Sequence, residues 1–295
     1  MLSKPSFVRA VALGAAAATA LTVCCGCSRE LPAEHIAQVA PEPPPQWTAR
    51  PDPPAAAPPV ASGSPSVTSS THAGKGVAVV ELFTSEGCSS CPPADKVLAS
   101  LTARAKASAL PVYTLSFHVD YWNYLGWRDR FSSSSYSERQ HGYSGISNSG
   151  TYTPQVVVNG AAECVGSDSS RIDSLIGSAL EHGQRTQIEL DARRSPQGIE
   201  VDYRVSGATQ GRVLNLALLE PRAESQVEHG ENAGERLAHV NVVRVFTSRA
   251  LSDGKAGHWT LPSGPDFAGR RVGVVAFAED ASQRDISGAT ALELP

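Results

Sequence analysis

The stretch GVAVVELFTSEGCSSCPPAD, residues 76–95, decides how the chain is read. Residues 76–84 form an almost continuous apolar run, the pattern of a strand covered on both faces. Cys88 and Cys91 follow three positions apart, and Pro92 and Pro93 come directly after them. Two prolines suit the first turn of a helix, where a missing N–H costs little. PADKVLASLTARAKA, residues 93–107, then sets Val97, Leu98 and Leu101 at helical spacing, and LPVYTLSFHV, residues 110–119, reads as a second buried strand. Strand, helix and strand of these lengths predict a parallel βαβ unit.

A Cys-x-x-Cys pair where a strand gives way to a helix has a physical use. Unpaired N–H groups and the dipole at the helix N-terminus favour a thiolate on Cys88. Cys91 lies about one turn on, near enough to open or close a disulfide with it. The same spacing is half of a zinc site, but a tetrahedral site needs two further ligands at short spacing. The sequence holds no second pair, so no metal ligands are assigned.

The residues ahead of the motif read as a leader and a tether. In residues 1–27, Lys4 and Arg9 precede the apolar VALGAAAATALTV, residues 11–23, as in an export signal. That run is too short to span a bilayer. Gly26 before Cys27 resembles a lipoprotein cleavage site, which would make Cys27 the lipidated N-terminus. Against it, Cys24 stands three positions earlier where an aliphatic residue is usual, and ordinary cleavage or lipidation at Cys24 stays open. Residues 28–75 hold eleven of the 21 prolines with Ala and Ser between them. Such a segment buries too little apolar surface to offset its ordering entropy and reads as a disordered tether. Export means an oxidising compartment. With Cys24, Cys25 and Cys27 in the leader, Cys88 and Cys91 can pair, which leaves Cys164 over.

The net charge of −4 carries no basic run, so nucleic-acid binding has no support. Past the leader no apolar run is long enough to cross a membrane. Residues 120–150 fit neither period and read as an insertion with one or two short helices. TPQVVVNGAAECVG, residues 153–166, predicts a hairpin turning at Asn159-Gly160. Residues 167–183 predict a helix capped by Ser167 or Asp168 and ended by Gly183. From Thr186 onward, strand-like segments alternate with Gly, Pro and Asp turns, as in a small antiparallel sandwich. The expected organisation is a domain over 76–184 and a β-sandwich-like region over 185–295.

Tyr152-Thr153-Pro154, directly before a strand, adds a second signature. Together with the dithiol and the βαβ–ββα order, it makes the chain resemble the thioredoxin superfamily. ELFTSEGCSSCPPAD, FHVDYWNYLGWRDRF, YTPQVVVNG and GENAGERLAHVNVVR together are similar to a family of exported bacterial thioredoxin-like proteins of unknown function, over roughly residues 76–295. The resemblance implies an α/β thioredoxin-like domain with a helical, aromatic insertion, followed by a small all-β region. It implies that Pro154 is a cis-proline beside the dithiol and that Thr153 positions a partner strand. It also implies that Glu81 is a buried acid serving Cys91, the alternative being a strand-end glutamate facing water. Gly87, where thioredoxins usually carry Trp, and Glu86, close to a thiolate, depart from that pattern.

The insertion supplies further candidates, His118, Asp120 and Trp122, against the reading that its clustered aromatics are simply packed. His229, Asn232, His239 and Arg244 read as loop and strand structure, and Cys164 as a buried apolar residue. The leading expectation is an exported thiol–disulfide oxidoreductase, periplasmic or anchored to the outer membrane, acting on protein or small-molecule thiols and disulfides. Cys88 would attack, Cys91 would resolve, Glu81 would carry the proton, and no dissociable cofactor is needed. Two alternatives stay open: a Cu(I)-handling protein using Cys88, Cys91 and His118, and a tethered binding module whose Cys88–Cys91 disulfide is structural. Nothing in the sequence sets an oligomeric state.

Overall fold

The computed structural model describes residues 66–70, 76–146, 150–253, 255–264, 267 and 269–295. The export signal at 1–27, the lipidation site at Cys27 and all of the tether except 66–70 lie outside the described residues. In chain order the elements are β1 (Val67–Ser70), β2 (Ala78–Thr84), α1 (Pro92–Ala107), β3 (Val112–His118), α2 (Ser134–His141), β4 (Gln155–Val158), β5 (Ala162–Val165), α3 (Ser169–Glu181), β6 (Thr186–Ser195), β7 (Gly198–Gly207), β8 (Arg212–Gln226), β9 (Arg236–Ala250), β10 (Ala256–Leu261), β11 (Val272–Asp280) and β12 (Ile286–Leu294).

The local expectations around the motif hold in outline. β2 and β3 pair in parallel from Ala78↔Val112 to Thr84↔His118, with α1 between them in the chain. Buried Ala94, Leu98, Leu101 and Ala105 give α1 one apolar stripe, which packs with Ala78, Val80 and Leu82 of β2. β4 and β5 form the expected hairpin, and Asn159 and Gly160 take the positive φ values, 49° and 64°, that its turn requires. Asp168 caps α3 by accepting the Arg171 N–H at 2.9 Å, and His182 rather than Gly183 ends that helix.

The expected fold class is overturned at the next level. These strands do not close a separate α/β domain followed by a small sandwich. They are the end of one curled eight-stranded sheet, ordered β12-β11-β8-β9-β3-β2-β4-β5, and a second sheet runs β1-β6-β7-β10. Strands hold 46% and helices 21% of the structure, so it is mostly β and is not a thioredoxin βαβ fold. The junction is the parallel contact of β3 with β9 at Ser116↔Val242, which carries the sheet across residue 184.

Strand length explains the difference. β8 and β9 each run 15 residues and serve two cores at once. On one face Leu214, Leu216 and Leu218 pack with Ile188, Leu190, Val201 and Tyr203 of the smaller sheet. On the other face Ala217, Leu219 and Val243 pack with Phe83, Leu115 and Phe117 of β2 and β3. A strand buried on both faces reads as a continuous apolar run, so RVLNLALLE could not by itself show that it belongs to two layers. β1, inside the stretch expected as tether, pairs antiparallel with β6, from Val67↔Ala192 to Ser70↔Glu189.

Candidate dithiol site

The loop after β2 turns back through Cys88, whose N–H bonds the Ser85 carbonyl at 3.2 Å, into Cys91, the N-cap of α1. Pro92 and Pro93 occupy the first helical positions, and the Cys91 carbonyl accepts the N–H groups of Ala94 at 2.9 Å and Asp95 at 3.1 Å. Cys88 and Cys91 form a disulfide, their Cα atoms 5.4 Å apart. Cys91 therefore begins the helix and Cys88 lies one turn ahead of it. Both cysteines are fully buried, while Ser89 and Ser90 between them are exposed.

Polar contacts favour one sulfur. Thr153 Oγ1 donates to Cys88 Sγ at 3.3 Å, and Ser90 Oγ stands 3.3 Å from the same sulfur. Trp122 Nε1 donates to Thr153 Oγ1 at 2.7 Å and so fixes that hydroxyl. The Thr153–Pro154 peptide is cis. Trp122 also explains Gly87, because a Cβ there would lie 3.1 Å from the Trp122 Cβ and 3.3 Å from its carbonyl oxygen. The insertion thus places its own tryptophan against the position that carries one in thioredoxins.

Ser89 turns away from the sulfurs. Its N–H and hydroxyl both donate to Glu231 Oε2, at 3.0 and 2.7 Å. Asn232 Nδ2 donates to the carbonyls of Glu86 and Cys88 at 2.8 and 3.0 Å, pinning the loop from the segment between β8 and β9. Below the loop lies a buried polar layer. Glu86 faces neither solvent nor the sulfurs: its Oε2 accepts Trp127 Nε1 at 2.8 Å, and its Oε1 lies 3.5 Å from His239 Nε2. The other ring nitrogen of His239 stands 3.6 Å from Asp95 Oδ1. Burial alone would lower the His239 pKa, but the two carboxylates outweigh it and hold the imidazole at about 10. His118 Nδ1 meets Asp129 Oδ2 at 2.6 Å, and the Glu86 N–H donates to the same oxygen at 2.9 Å. Burial opposes the charge on Asp129, yet His118 beside it and these donors lower its pKa.

Glu81 is placed elsewhere, which corrects its expected role. Its neighbours Val80 and Leu82 face α1, so Glu81 points to the opposite side of the sheet. There Arg139 Nε and Nη2 bind its two carboxylate oxygens at 2.5 and 2.9 Å, and the Tyr143 hydroxyl donates at 2.7 Å. Arg139 also reaches Glu279 at 3.1 Å. Glu81 is thus committed to a buried ion pair rather than to Cys91.

The remaining candidates divide. Trp122 belongs to the site, and His118 lies in the polar layer beneath it. Asp120 accepts from Ser137 Oγ at 2.5 Å and ties the start of the insertion to α2 within it. Among the described residues no three His, Cys, Asp or Glu side chains group so as to hold a metal ion, and the Nδ1 of His118 is taken by Asp129. Cys164 is buried in β5, and burial, with Asp168 and Glu163, raises its thiol to about 11. A cavity of about 500 Å³ lined by Val77, Val158, Leu175 and Ile286 lies at the far end of β2 from the dithiol. His229 is exposed, whereas Asn232 and His239 belong to the site, although their sequence context reads only as loop and strand structure. The signal for His239 is its phase: in the β9 alternation Leu237 and His239 are buried while Arg236 and Ala238 are exposed.

A family described as "Protein of unknown function (DUF1223)" matches residues 79–279. The chain is similar to a crystal structure of an Agrobacterium tumefaciens protein from a structural genomics consortium. They share 29% identity over 74% of this chain and 94% of the other, with a TM-score of 0.53. No curated protein matches the chain.

Proposed function

We propose that this chain, which belongs to the family described as Protein of unknown function (DUF1223), is an exported thiol–disulfide oxidoreductase of the cell envelope. The observation that carries the reading is the asymmetry of the Cys88–Cys91 bond. A hydroxyl held by Trp122 donates to Cys88 Sγ, and among the described residues no hydrogen bond reaches Cys91 Sγ. A donor aimed at one sulfur favours its thiolate, and so marks Cys88 as the sulfur that attacks and is attacked. What the reading keeps from the resemblance to the thioredoxin superfamily is the dithiol and its neighbour Thr153–Pro154, not the fold.

In the reducing direction the Cys88 thiolate attacks one sulfur of a substrate disulfide. A Cys88–substrate bond forms and the other substrate sulfur leaves as thiolate. Cys91 then loses its proton and attacks Cys88 Sγ, which re-forms the Cys88–Cys91 bond and releases the second substrate thiolate. The reverse sequence oxidises a substrate dithiol. The test is capture: Cys91→Ala should hold partners covalently through Cys88, released by dithiothreitol. An oxidising envelope extract that yields no such adduct sinks the reading.

A second reading, a tethered binding module with a structural disulfide, is favoured by the full burial of both sulfurs. The reduction potential separates the two. A value well below about −300 mV marks a bond resistant to reduction, and a higher value supports exchange.

A further inference from the structure

Five buried titratable side chains lie under the dithiol and take no part in the exchange steps above: Glu86, Asp95, His118, Asp129 and His239. His239 sits among them as the contribution of β9. Asp95 of α1 faces its Nδ1 and Glu86, from the loop after β2, faces its Nε2. From the end of β3 the His118 ring meets it edge-on, centroids 4.7 Å apart, with Asp129 behind. Phe131 closes another side at 5.9 Å, and the guanidinium groups of Arg130 and Arg244 lie over the Phe131 ring. Both nitrogens of His239 and Oε1 of Glu86 are buried without a hydrogen-bond partner among the described residues. These atoms meet only across ion pairs of 3.5 and 3.6 Å, longer than hydrogen bonds, and so loose a buried layer under a reactive bond calls for a use.

Cys91 supplies the need. It is fully buried, so its sulfur has no direct proton exchange with bulk water. Asp95 follows it by four residues in the chain, which sets the two side chains on one face of α1, and the Asp95 N–H bonds the Cys91 carbonyl at 3.1 Å. Asp95 thus lies one helical turn from Cys91 and 3.6 Å from His239.

We propose that His239, held between Glu86 and Asp95, stores the proton that Cys91 takes up when the disulfide opens and gives back when it closes. The proposal rests on the exchange function above. When a substrate thiolate bonds to Cys88 Sγ, the Cys88–Cys91 bond breaks and Cys91 leaves with the electron pair. The Cys91 thiolate takes a proton from the His239 imidazolium by way of Asp95, and the imidazole stays neutral while Cys91 is a thiol. In resolution the Cys91 thiol returns its proton to the same unit before attacking Cys88. His239 exchanges no electrons, and the substrate thiol or disulfide is the redox partner throughout. His239 acts through Asp95 and is a positioning residue for the proton.

Two single-cysteine proteins test this without touching the layer. Cys88→Ser keeps the Cys91 thiol and Cys91→Ser removes it. The His239 imidazole, followed by NMR against pH, should titrate with a midpoint at least one pH unit apart in the two, a tenfold difference in proton affinity. In addition, His239→Gln should slow reduction of the Cys88–Cys91 bond by dithiothreitol at pH 7 at least tenfold. Equal midpoints in the two proteins overturn the proposal, as does an unchanged rate in a folded His239→Gln. Neither result touches the exchange function, which stands or falls on covalent capture by Cys91→Ala.

Discussion

Thr153 Oγ1 donates to Cys88 Sγ across 3.3 Å, joining the residue before Pro154 to the first cysteine of the motif. A neutral donor to a thiol is worth little, but the same donor to a thiolate is charge-assisted and roughly twice as strong. Thr153→Val keeps the shape and removes the hydroxyl. The Cys88 thiol should ionise less readily, and thiolate-dependent reactivity at neutral pH should fall several-fold. Alkylation of the reduced protein by iodoacetamide, followed against pH, measures both. An unmoved profile would remove Thr153 from the site.

Trp122 spans the two flanks of Cys88, its Cβ against Gly87 and its indole N–H on Thr153. With both sulfurs buried, access depends on what covers them. Trp122→Ala should open that cover, and dithiothreitol should reduce the disulfide several-fold faster than in the parent. Trp122→Phe keeps the bulk and loses only the hydrogen bond, so it should behave like Thr153→Val. If Trp122→Ala is reduced no faster, the cover lies elsewhere.

How much of this was legible in the sequence turns on the reach of each signal. Pro92-Pro93 after a dithiol, the apolar stripe of α1 and the Asn159-Gly160 turn are local, and each formed where the residues predict. The partnership of β3 with β9 is not local, because Ser116 and Val242 meet only in the folded sheet. No spacing rule announces it, so a boundary near residue 184 followed from a real change of texture and still divided one sheet. Glu81 failed for a related reason. Its apolar neighbours showed that it is buried, but only the strand's face decides whether it meets Cys91 or Arg139. Gly87 and Glu86, which departed from the thioredoxin pattern, proved to be answered by Trp122, Trp127 and His239 from distant segments.

The buried pair of Glu81 and Arg139 should be the most sensitive polar contact in the molecule. Burial opposes the charge on Arg139, and Glu81 and Glu279 more than restore it. Removing one partner leaves the other charged in a fully buried place, at a cost of about 3–5 kcal/mol. Arg139→Met should therefore lower the urea midpoint strongly, while the dithiol chemistry of the protein that still folds stays within a factor of two or three. A large loss of exchange rate with little loss of stability would return Glu81 to the catalytic group.

The Glu86–His239–Asp95 layer also predicts a pH dependence of stability whose sign is fixed. His239 is raised in the folded protein from the usual 6.5 to about 10. A raised histidine favours folding fully below its unfolded value, and that contribution is lost as pH climbs through the folded one. The fall should thus run from about pH 6.5 to pH 10 and amount to at most about 5 kcal/mol, each pKa unit being worth about 1.4 kcal/mol. Denaturant midpoints in steps across this window give the curve. In His239→Gln the slope should flatten, and the variant should be weaker than the parent at pH 7 but close to it at pH 10. A parent curve that is flat from pH 6.5 to 10, or equal slopes in parent and variant, would mean that His239 is not charged in the fold.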